Sequence, residues 1–281
     1  MTRADISPLS VLLSRVDAVS DGQSPAGTFP TGFPSLDKML AGGIRRGDLT
    51  VLGGDIASGK SALALAFAIR AALAGIRVAF LTAEMSPGRV AERILAIEAR
   101  ARLDDLRQGS LDDATRAKAG AVALQLREHL PIIGTIADGR LTGPNAPGEL
   151  PEADFVIIDG VSALATGGLG VDEDTADAVR QLKRLALTAD VALLVTAPLP
   201  HLAPRADRRP TLDDFGGLGC IKHHADIVLG LFRQDMYEPA RDIAGATELL
   251  VLKNRNGATG YVDLYFYAQW MRFEDMLDPD R

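Results

Sequence analysis

Eight residues in the first quarter of the chain have the spacing of a phosphate-binding loop. The segment Gly54-Asp55-Ile56-Ala57-Ser58-Gly59-Lys60-Ser61 follows the apolar run Leu49–Leu52 and precedes an Ala/Leu-rich run, so it joins a predicted strand to a predicted helix. Glycines let the backbone wrap around phosphate oxygens, Lys60 supplies a point charge, and Ser61 can ligate Mg²⁺. A glycine turn that only caps a helix is the alternative, and the coincidence of strand, loop, Lys-Ser pair and helix disfavours it. The sequence therefore predicts a nucleoside triphosphate site formed by Gly54, Asp55, Ile56, Ala57, Ser58, Gly59, Lys60, Ser61 and Ala62.

A carboxylate that ends a later apolar run is a candidate metal ligand. The segment Phe155-Val156-Ile157-Ile158-Asp159 predicts a buried strand whose last residue is acidic. Phosphate-loop enzymes position a Mg²⁺-directed aspartate in this way, at the carboxyl edge of the sheet. A strand that ends in Asp before Gly is also a common turn. Because a phosphate loop precedes it, we interpret Asp159 as the metal-side carboxylate, together with Ser61.

Glu84 is a candidate general base. It lies just past the predicted strand Val78–Thr82, within reach of a water that attacks a γ-phosphate, where it would orient the water and accept its proton. Alternatively, Glu84 caps the helix that begins near Pro87, where an acidic group complements the helix dipole. The residues alone leave both roles open.

Two cations near the end of the chain are candidates for phosphate contact. Lys253 and Arg255 are two residues apart at the end of a predicted strand, so both point to one face of the sheet and can reach one anion. A planar guanidinium suits the charge that develops on a phosphate in a transition state. Solvated surface charge at a turn is the default explanation for such a run.

Composition limits the class of protein. The chain has 281 residues, of which 47% are hydrophobic and 24% charged, as is typical of a globular protein with one large α/β domain. Its single cysteine, Cys220, excludes an intrachain disulfide and fits the reducing cytoplasm, which is the expected location. The longest apolar stretch, Ala62–Ala83, contains Arg70 and Arg77, which disfavours a membrane span. A net charge of −7 is unexpected for a protein that holds nucleic acid through phosphate contacts, unless a local basic patch supplies them.

The order of predicted elements indicates a parallel sheet. Residues 8–19 have helical spacing and precede a Gly/Ser/Pro-rich segment that ends at Pro30. We therefore assign residues 1–30 to a linker helix and flexible linker, and residues 31–281 to the main domain. From the phosphate loop onward, strands alternate with helices, and this succession implies parallel pairing.

Further apolar runs predict the remaining strands. The Gly/Pro-rich residues 136–153 lack helical periodicity and are predicted to form a loop. The last two apolar runs flank Asn256-Gly257 and predict a hairpin. The runs are Phe155–Ile158, Val191–Thr196, Ile227–Phe232, Glu248–Leu252 and Tyr261–Phe266.

Together these residues resemble the C-terminal ATPase domain of DnaB-family replicative helicases, a RecA-like motor. The resemblance extends over roughly Thr31–Glu274, and its segments follow the order found in the family, which is more specific than any single motif. The matching segments are Thr31-Gly32-Phe33-Pro34-Ser35-Leu36-Asp37, Gly47-Asp48-Leu49, the phosphate loop, Ala83-Glu84-Met85-Ser86, the helix Arg93–Arg107, Asp159, Arg208-Arg209-Pro210, Ala225-Asp226-Ile227-Val228, Lys253-Asn254-Arg255-Asn256-Gly257 and Gly260.

The resemblance implies an α/β fold of the RecA-like P-loop NTPase type, with a central, mainly parallel twisted sheet flanked by helices. It implies ATP and Mg²⁺ as ligands and Glu84 as the base that activates water. By the same resemblance, Lys253 and Arg255 reach the nucleotide site of an adjacent subunit, with Arg255 as an arginine finger in trans. A finger in trans requires a homo-oligomeric ring or filament, and the family implies a hexamer that acts on single-stranded DNA. The N-terminal helix would dock onto a neighbouring subunit.

Three departures from the family pattern affect these expectations. The family carries a large N-terminal helical domain that organises the ring and meets primase, whereas only about thirty residues precede the motor in this sequence, so docking of primase through that domain is not supported. Pro198 holds the position of the family's phosphate-sensing glutamine. The family's Arg-Glu-Ser-Gly loop near the central channel is replaced by Gly216-Gly217-Leu218-Gly219.

Contacts with single-stranded DNA therefore rest on few groups. The glycine loop retains only backbone N–H groups for phosphate contact. Nearby arginines either face the channel or balance the acidic residues among them, Asp207, Asp213 and Asp214, and the sequence leaves both alternatives open. The candidate DNA contacts are Arg205, Arg208, Arg209, Gly217 and Gly219.

The sequence supports hypotheses from different functional classes. The leading one is a Mg²⁺-dependent ATPase in a DnaB-like ring that acts on single-stranded DNA. The alternative is an ATP-dependent assembly or regulatory protein without processive unwinding, motivated by the acidic charge, Pro198 and the glycine loop. A recombinase-like filament is a third.

Overall fold

The described part of the chain alternates strands and helices around a central sheet. The computed structural model describes residues 27–137, 140–142, 151–164, 170–199, 202, 205–238 and 243–277, together with the isolated positions 13, 16 and 20. The strands are β1 (Thr28–Phe29), β2 (Ile44–Arg45), β3 (Leu49–Gly54), β4 (Val78–Thr82), β5 (Ile132–Ala137), β6 (Arg140–Thr142), β7 (Phe155–Asp159), β8 (Ala192–Pro198), β9 (Ile227–Phe232), β10 (Ala246–Asn254), β11 (Gly260–Tyr267) and β12 (Arg272–Asp275). The α-helices are α1 (Pro34–Met39), α2 (Lys60–Leu73), α3 (Pro87–Ala99), α4 (Leu103–Gln108), α5 (Asp113–His129), α6 (Val171–Ala189) and α7 (Cys220–His224).

Six neighbouring strands of the central sheet are parallel. Within the described residues, ten strands pair in the order β12-β11-β10-β9-β3-β8-β7-β4-β5-β6. The run from β9 to β5 in this order is parallel throughout. Antiparallel pairing adds β10, β11 and β12 at one side and β6 at the other. The predicted fold class, a mainly parallel sheet flanked by helices, is confirmed.

Apolar side chains fill both faces of the parallel strands. Successive side chains of a strand point to opposite faces, and on β3 Leu52 belongs to one core while Val51 belongs to the other. The first core includes most of α2, and the second includes the buried face of α6. Helices on both sides explain why β3, β4, β7 and β9 are buried along their whole length and consist mostly of apolar residues. No helix in the described ranges is long and apolar enough to cross a bilayer.

The predicted hairpin is confirmed, and the predicted loop is partly wrong. Strands β10 and β11 pair antiparallel on either side of Asn256-Gly257. Residues 136–153 were expected to form a loop, yet β5 extends to Ala137 and β6 pairs with it at the edge of the sheet. An edge strand needs only backbone hydrogen bonds to one neighbour, which composition does not reveal. Residues 138–139 and 143–150 lie outside the described residues.

The segment expected to form one helix from Arg93 to Arg107 is two helices. Helix α3 ends at Ala99, and Arg100 adopts a left-handed conformation with φ of 53°. The N–H of the next residue, Ala101, donates to the carbonyl oxygen of Ala96 (3.0 Å), which closes the helix in the manner of a Schellman motif. The chain then turns into α4.

Most of the predicted N-terminal helix lies outside the described residues. Leu13, Val16 and Ser20 are helical, and the side chains of Leu13 and Val16 are each 56% exposed. Strand β1, which lies in the segment assigned to the linker, pairs antiparallel with β2 of the main domain. The division of the chain between residues 30 and 31 stays a prediction.

Replacing Phe80 should test the core. Phe80 is fully buried in β4, and Phe80→Ala is expected to lower the free energy of unfolding by about 3–5 kcal/mol, because it removes apolar contact and leaves a cavity. Urea unfolding followed by circular dichroism measures the change. Leu124 is 70% exposed, and the control Leu124→Ala should cost less than about 0.5 kcal/mol. Equal losses in the two variants would contradict the burial of Phe80.

Candidate active site

The phosphate loop connects β3 to α2 at the carboxyl edge of the parallel strands. Ala57 and Gly59 have left-handed backbones, with φ of 64° and 101°. A Cβ at Gly59 would lie 2.9 Å from Cζ of Phe273, so glycine allows β12 to approach the loop closely. No described side chain caps the start of α2 at Lys60. The first N–H groups of any helix lack intrahelical partners, and without a capping side chain they are available to bind an anion.

Lys60 is folded against the loop that carries it. Its Nζ donates hydrogen bonds to the carbonyl oxygens of Gly54 (2.9 Å) and Asp55 (2.7 Å). Burial lowers the pKa of Lys60, and three neighbouring carboxylates oppose this shift, those of Asp159, Asp55 and Glu84. A positive charge is thus held inside the loop, among acidic side chains.

Ser61 and Asp159 lie next to each other and fit a magnesium ion. Asp159 Oδ1 accepts hydrogen bonds from Ser61 Oγ (2.9 Å) and Thr196 Oγ1 (2.9 Å). Asp159 is buried, and its Oδ2 has no hydrogen-bond partner among the residues that the structure describes. Burial raises the pKa of Asp159, and the hydrogen bonds from Ser61 and Thr196 oppose the shift. A buried oxygen without a partner, beside a hydroxyl, is a donor set suited to Mg²⁺.

Glu84 projects towards the same place as Asp159. A Cβ built on Gly160 would lie 3.8 Å from Glu84 Oε1, so the carboxylate stands beside the residue that follows Asp159. The backbone N–H of Glu84 donates to Thr82 Oγ1 (3.1 Å). Within the described residues, no side-chain hydrogen bond caps helix α3, so the capping alternative for Glu84 finds no support in the structure.

One cavity of about 350 Å³ unites these groups and adds six residues that the sequence analysis did not assign to the site. It is lined by residues 56–57 and 59–62, by Glu84 and by Asp159, whereas Gly54, Asp55 and Ser58 are not among its lining residues. Two of the six closely follow Asp159 in the sequence, and Thr196 was marked only as the polar end of an apolar run. The other three stand in a helix, a strand and a turn with no motif that marks them. Arg93 has a buried Nε without a partner in the described parts of the chain. The six additional lining residues are Arg93, Gly160, Ser162, Thr196, Phe266 and Met271.

Lys253 and Arg255 lie at the opposite edge of the sheet from the phosphate loop. Strand β10 runs antiparallel to β9, so Asn254 pairs with Ile227 at the start of β9. The loop begins at Gly54, where β3 pairs with the far end of β9. The structure therefore does not bring the two cations to the loop of their own chain.

Asp226 anchors this second cluster of charges. Its carboxylate is 4% exposed and accepts hydrogen bonds from the N–H of Leu49 (2.8 Å), from Lys183 Nζ (2.6 Å) and from the guanidinium of Arg255 (3.2 Å). Lys253 Nζ donates to two carbonyl oxygens at the end of α7, at 2.6 and 2.5 Å. Burial and the neighbouring charge of Arg255 lower the pKa of Lys253. Both cations are held by the fold and are not merely solvated.

Arg205 and Arg209, both candidate DNA contacts, form ion pairs with carboxylates of the same chain. Arg205 forms an ion pair with Asp214 (2.8 Å), and Arg209 forms one with Glu248 (2.6 Å). The charge-balancing alternative thus describes Arg205 and Arg209, although the partner Glu248 was not anticipated. The guanidinium of Arg208 lies over an aromatic ring, 4.7 Å from its centroid.

The glycine loop forms a short 3-10 turn ahead of α7. The N–H of Gly217 donates to Asp172 Oδ1 (2.9 Å), so this amide is already engaged by α6. Leu218 is 66% exposed between Gly217 and Gly219. DNA contacts through this loop and through the arginines stay predictions.

The buried charge of Asp159 should cost stability. Burial raises the pKa of Asp159 above its unfolded value, because the folded state favours the neutral carboxyl. The stability that the neutral carboxyl provides is fully present below the unfolded pKa and is lost as the pH rises through the folded pKa. Asp159→Asn is therefore expected to raise the free energy of unfolding by about 1 kcal/mol at pH 7 without nucleotide or Mg²⁺, with a smaller gain near pH 4. Urea unfolding at both pH values measures this. The exposed control Asp104→Asn should bring no gain, and a loss of stability in Asp159→Asn at pH 7 would refute the expectation.

Comparison with known proteins places this geometry in a family. The replicative DNA helicase DnaB of Leifsonia xyli subsp. xyli is 30% identical, over 95% of this chain and 60% of the relative. The replicative DNA helicase DnaC of Bacillus subtilis is 27% identical, over 88% of this chain and 56% of the relative. The chain thus spans less than two thirds of the length of these relatives.

Solved structures share the fold. A structure described as a DnaB-like replicative helicase and its interactions with primase superposes with a TM-score of 0.81 at 20% identity, covering 97% of this chain and 68% of that one. A KaiC-like protein from Pyrococcus horikoshii gives a TM-score of 0.55 at 15% identity, covering 88% and 98%. These likenesses confirm the predicted RecA-like fold. The family model for the DnaB-like helicase C-terminal domain matches residues 28–275, and the chain belongs to that family.

Proposed function

We propose that this chain hydrolyses ATP with Mg²⁺, as part of a DnaB-like homo-oligomeric ring, a hexamer, that acts on single-stranded DNA. One observation carries the proposal: Lys60, Ser61, Glu84 and Asp159 line one cavity although they lie at or beyond the ends of three different strands. Its volume of about 350 Å³ lies in the range of small-molecule sites.

The phosphate loop would bind the triphosphate through its amides and Lys60. The ammonium would exchange the carbonyl oxygens of Gly54 and Asp55 for phosphate oxygens, which are charged and therefore stronger acceptors. Because the site is partly buried, these contacts are stronger than they would be in water. Phe266 and Met271 offer an apolar wall beside the loop for the uncharged part of the nucleotide.

Ser61 and Asp159 would hold Mg²⁺ through the serine hydroxyl and Oδ2 of Asp159, which has no hydrogen-bond partner among the described residues. Bound there, Mg²⁺ neutralises charge on phosphate oxygens. Thr196 helps to fix the carboxylate, since its hydroxyl donates to Asp159 Oδ1 and accepts from the N–H of Gly160 (2.7 Å). Glu84 would orient the attacking water and accept its proton, and its carboxylate stands next to Gly160 for that task.

Arg255 and Lys253 would complete the site of a neighbouring subunit. Their place at the far edge of the sheet supports action in trans, because a protomer cannot turn them towards its own loop without breaking their contacts with Asp226 and the end of α7 and crossing the sheet. A closed ring supplies each loop with such a neighbour.

A regulatory ATPase without unwinding is the second candidate. Pro198 is the last residue of β8, pairs with Gly54 in the sheet register and lines the cavity, where it lacks the polar side chain of a phosphate sensor. The ion pairs of Arg205 and Arg209 also reduce the charge available to DNA.

Single-stranded DNA separates the two candidates. For a motor, steady-state ATP hydrolysis should rise on addition of single-stranded DNA, and the rise should weaken with salt because phosphate contacts release counterions. If the DNA neither binds at low salt nor changes hydrolysis, the regulatory function is the correct one.

Glu84→Gln is expected to lower kcat for ATP by about 10²–10⁴-fold with little change in nucleotide affinity, since the amide cannot accept the proton of water. Phosphate release and calorimetric titration with ATP measure the two quantities. Glu92 lies on α3 and forms an exposed ion pair with Arg107 (2.8 Å), so Glu92→Gln is the matched control and should leave kcat unchanged. Full turnover by Glu84→Gln would rule out its role as base.

Mixing two inactive variants should restore part of the activity. An Arg255→Ala chain keeps an intact loop and a Lys60→Ala chain keeps an intact finger, so one type of mixed interface contains a complete site. ATP hydrolysis by mixed rings measures the recovery, and energy transfer between labelled chains verifies that the subunits exchange. If exchange occurs without recovery, the trans arrangement is wrong.

A further inference from the structure

Tyr237 reaches the phosphate loop from a distant part of the chain. It follows the 3-10 turn Gln234–Met236, beyond the end of β9. Its hydroxyl donates a hydrogen bond to Asp55 Oδ2 (2.7 Å), and Asp55 Oδ1 accepts from the N–H of Ile56 (2.7 Å). The two oxygens of Asp55 therefore bind different partners: Oδ1 binds Ile56, which belongs to the loop, and Oδ2 binds Tyr237, which does not.

The ring of Tyr237 is fixed from several sides. It is stacked on Phe232, with the ring centroids 6.0 Å apart and the planes 16° apart. The guanidinium of Arg208 lies 4.7 Å from the ring centroid, and the backbone N–H of Tyr237 donates to the carbonyl of Gln234 (3.0 Å). Burial, together with the hydrogen bond to Asp55, raises the pKa of Tyr237, so the phenol remains a donor at neutral pH. Arg208, a predicted DNA contact, thus packs against the ring whose hydroxyl binds the phosphate loop.

The negative charge of the Asp55 carboxylate opposes the binding of an anion by the loop. It is close enough to Lys60 to oppose the fall of the lysine's pKa, and the backbone carbonyl of Asp55 accepts from Lys60 Nζ. A triphosphate bound by Lys60 would meet this negative charge. Yet Asp55 does not line the cavity, whereas the next residue, Ile56, does.

We propose that Tyr237 is a positioning residue for the phosphate loop: its hydroxyl holds the carboxylate of Asp55 outside the cavity, so that the loop amides and Lys60 can take a nucleoside triphosphate. The inference rests on the proposed function of the loop. It explains why an acidic side chain at the start of an anion-binding loop is bound from the other side by a fixed donor.

Tyr237→Phe isolates this hydrogen bond because it keeps the ring, its stacking on Phe232 and its contact with Arg208. The variant is expected to raise the KM for ATP about tenfold, with kcat changed less than about twofold, since a hydrogen bond to a charged group is lost in the nucleotide-binding step. Steady-state hydrolysis of MgATP by the full chain measures both constants. Tyr261 is 58% exposed on β11, and Tyr261→Phe is the control that should leave KM unchanged.

A second background tests the electrostatic origin of the effect. Asp55→Asn removes the charge while the amide oxygen can still accept from Ile56 N–H, so in this background Tyr237→Phe should change KM less than about twofold. Equal rises in KM in both backgrounds would mean that Tyr237 acts by packing alone, and an unchanged KM in Tyr237→Phe itself would mean that it does not act on the loop. Either result overturns the proposal while leaving ATP hydrolysis by the wild type intact. A wild-type chain that fails to bind ATP in a calorimetric titration would overturn the proposed function as well.

Discussion

The parallel pairing of the strands from β9 to β5 determines where the candidate residues around the phosphate loop lie. Strands that run in one direction bring their carboxyl ends to one edge of the sheet, and polar side chains that follow those ends converge there. The loop after β3, Asp159 at the end of β7 and Thr196 on β8 meet for this reason. Helices on both sides bury the apolar faces of these strands, and this burial stabilises the sheet that positions the polar groups.

Each of the two edges of the parallel strands holds a buried acidic residue, and the two residues differ in their hydrogen bonding. At the carboxyl edge, Asp159 remains buried with one oxygen lacking a partner in the described chain, which lowers stability and leaves a ligand for a cation. At the amino edge, the carboxylate of Asp226 is equally buried, but it accepts three hydrogen bonds and joins Leu49, Lys183 and Arg255. One buried acid is left incomplete and the other is fully satisfied, which is the difference expected between a binding group and an anchor.

Local patterns in the sequence predicted the parts of the site that follow apolar runs. The loop begins at Gly54, the last residue of β3, and Asp159 is the last residue of β7, so their place at the sheet edge could be inferred from the order of the apolar runs alone. Arg93, Phe266 and Tyr237 could not be inferred, because each is brought in by packing between elements far apart in the chain, and its sequence neighbours carry no motif. Strand β6 was missed for another reason, since its pairing uses backbone groups that every residue has.

Strand β3 connects the Asp226 cluster at the amino edge of the sheet to the phosphate loop at the carboxyl edge. Its first residue, Leu49, is bound by the carboxylate that also holds Arg255, and its last residue, Gly54, opens the phosphate loop. A six-residue strand clamped between two others is stiff along its length. In the proposed ring, a small displacement of the loop when product leaves would travel along this strand to the guanidinium inserted in the next subunit. The stiffness of one short β-strand would then link the nucleotide site of each protomer to the group that the protomer offers to its neighbour.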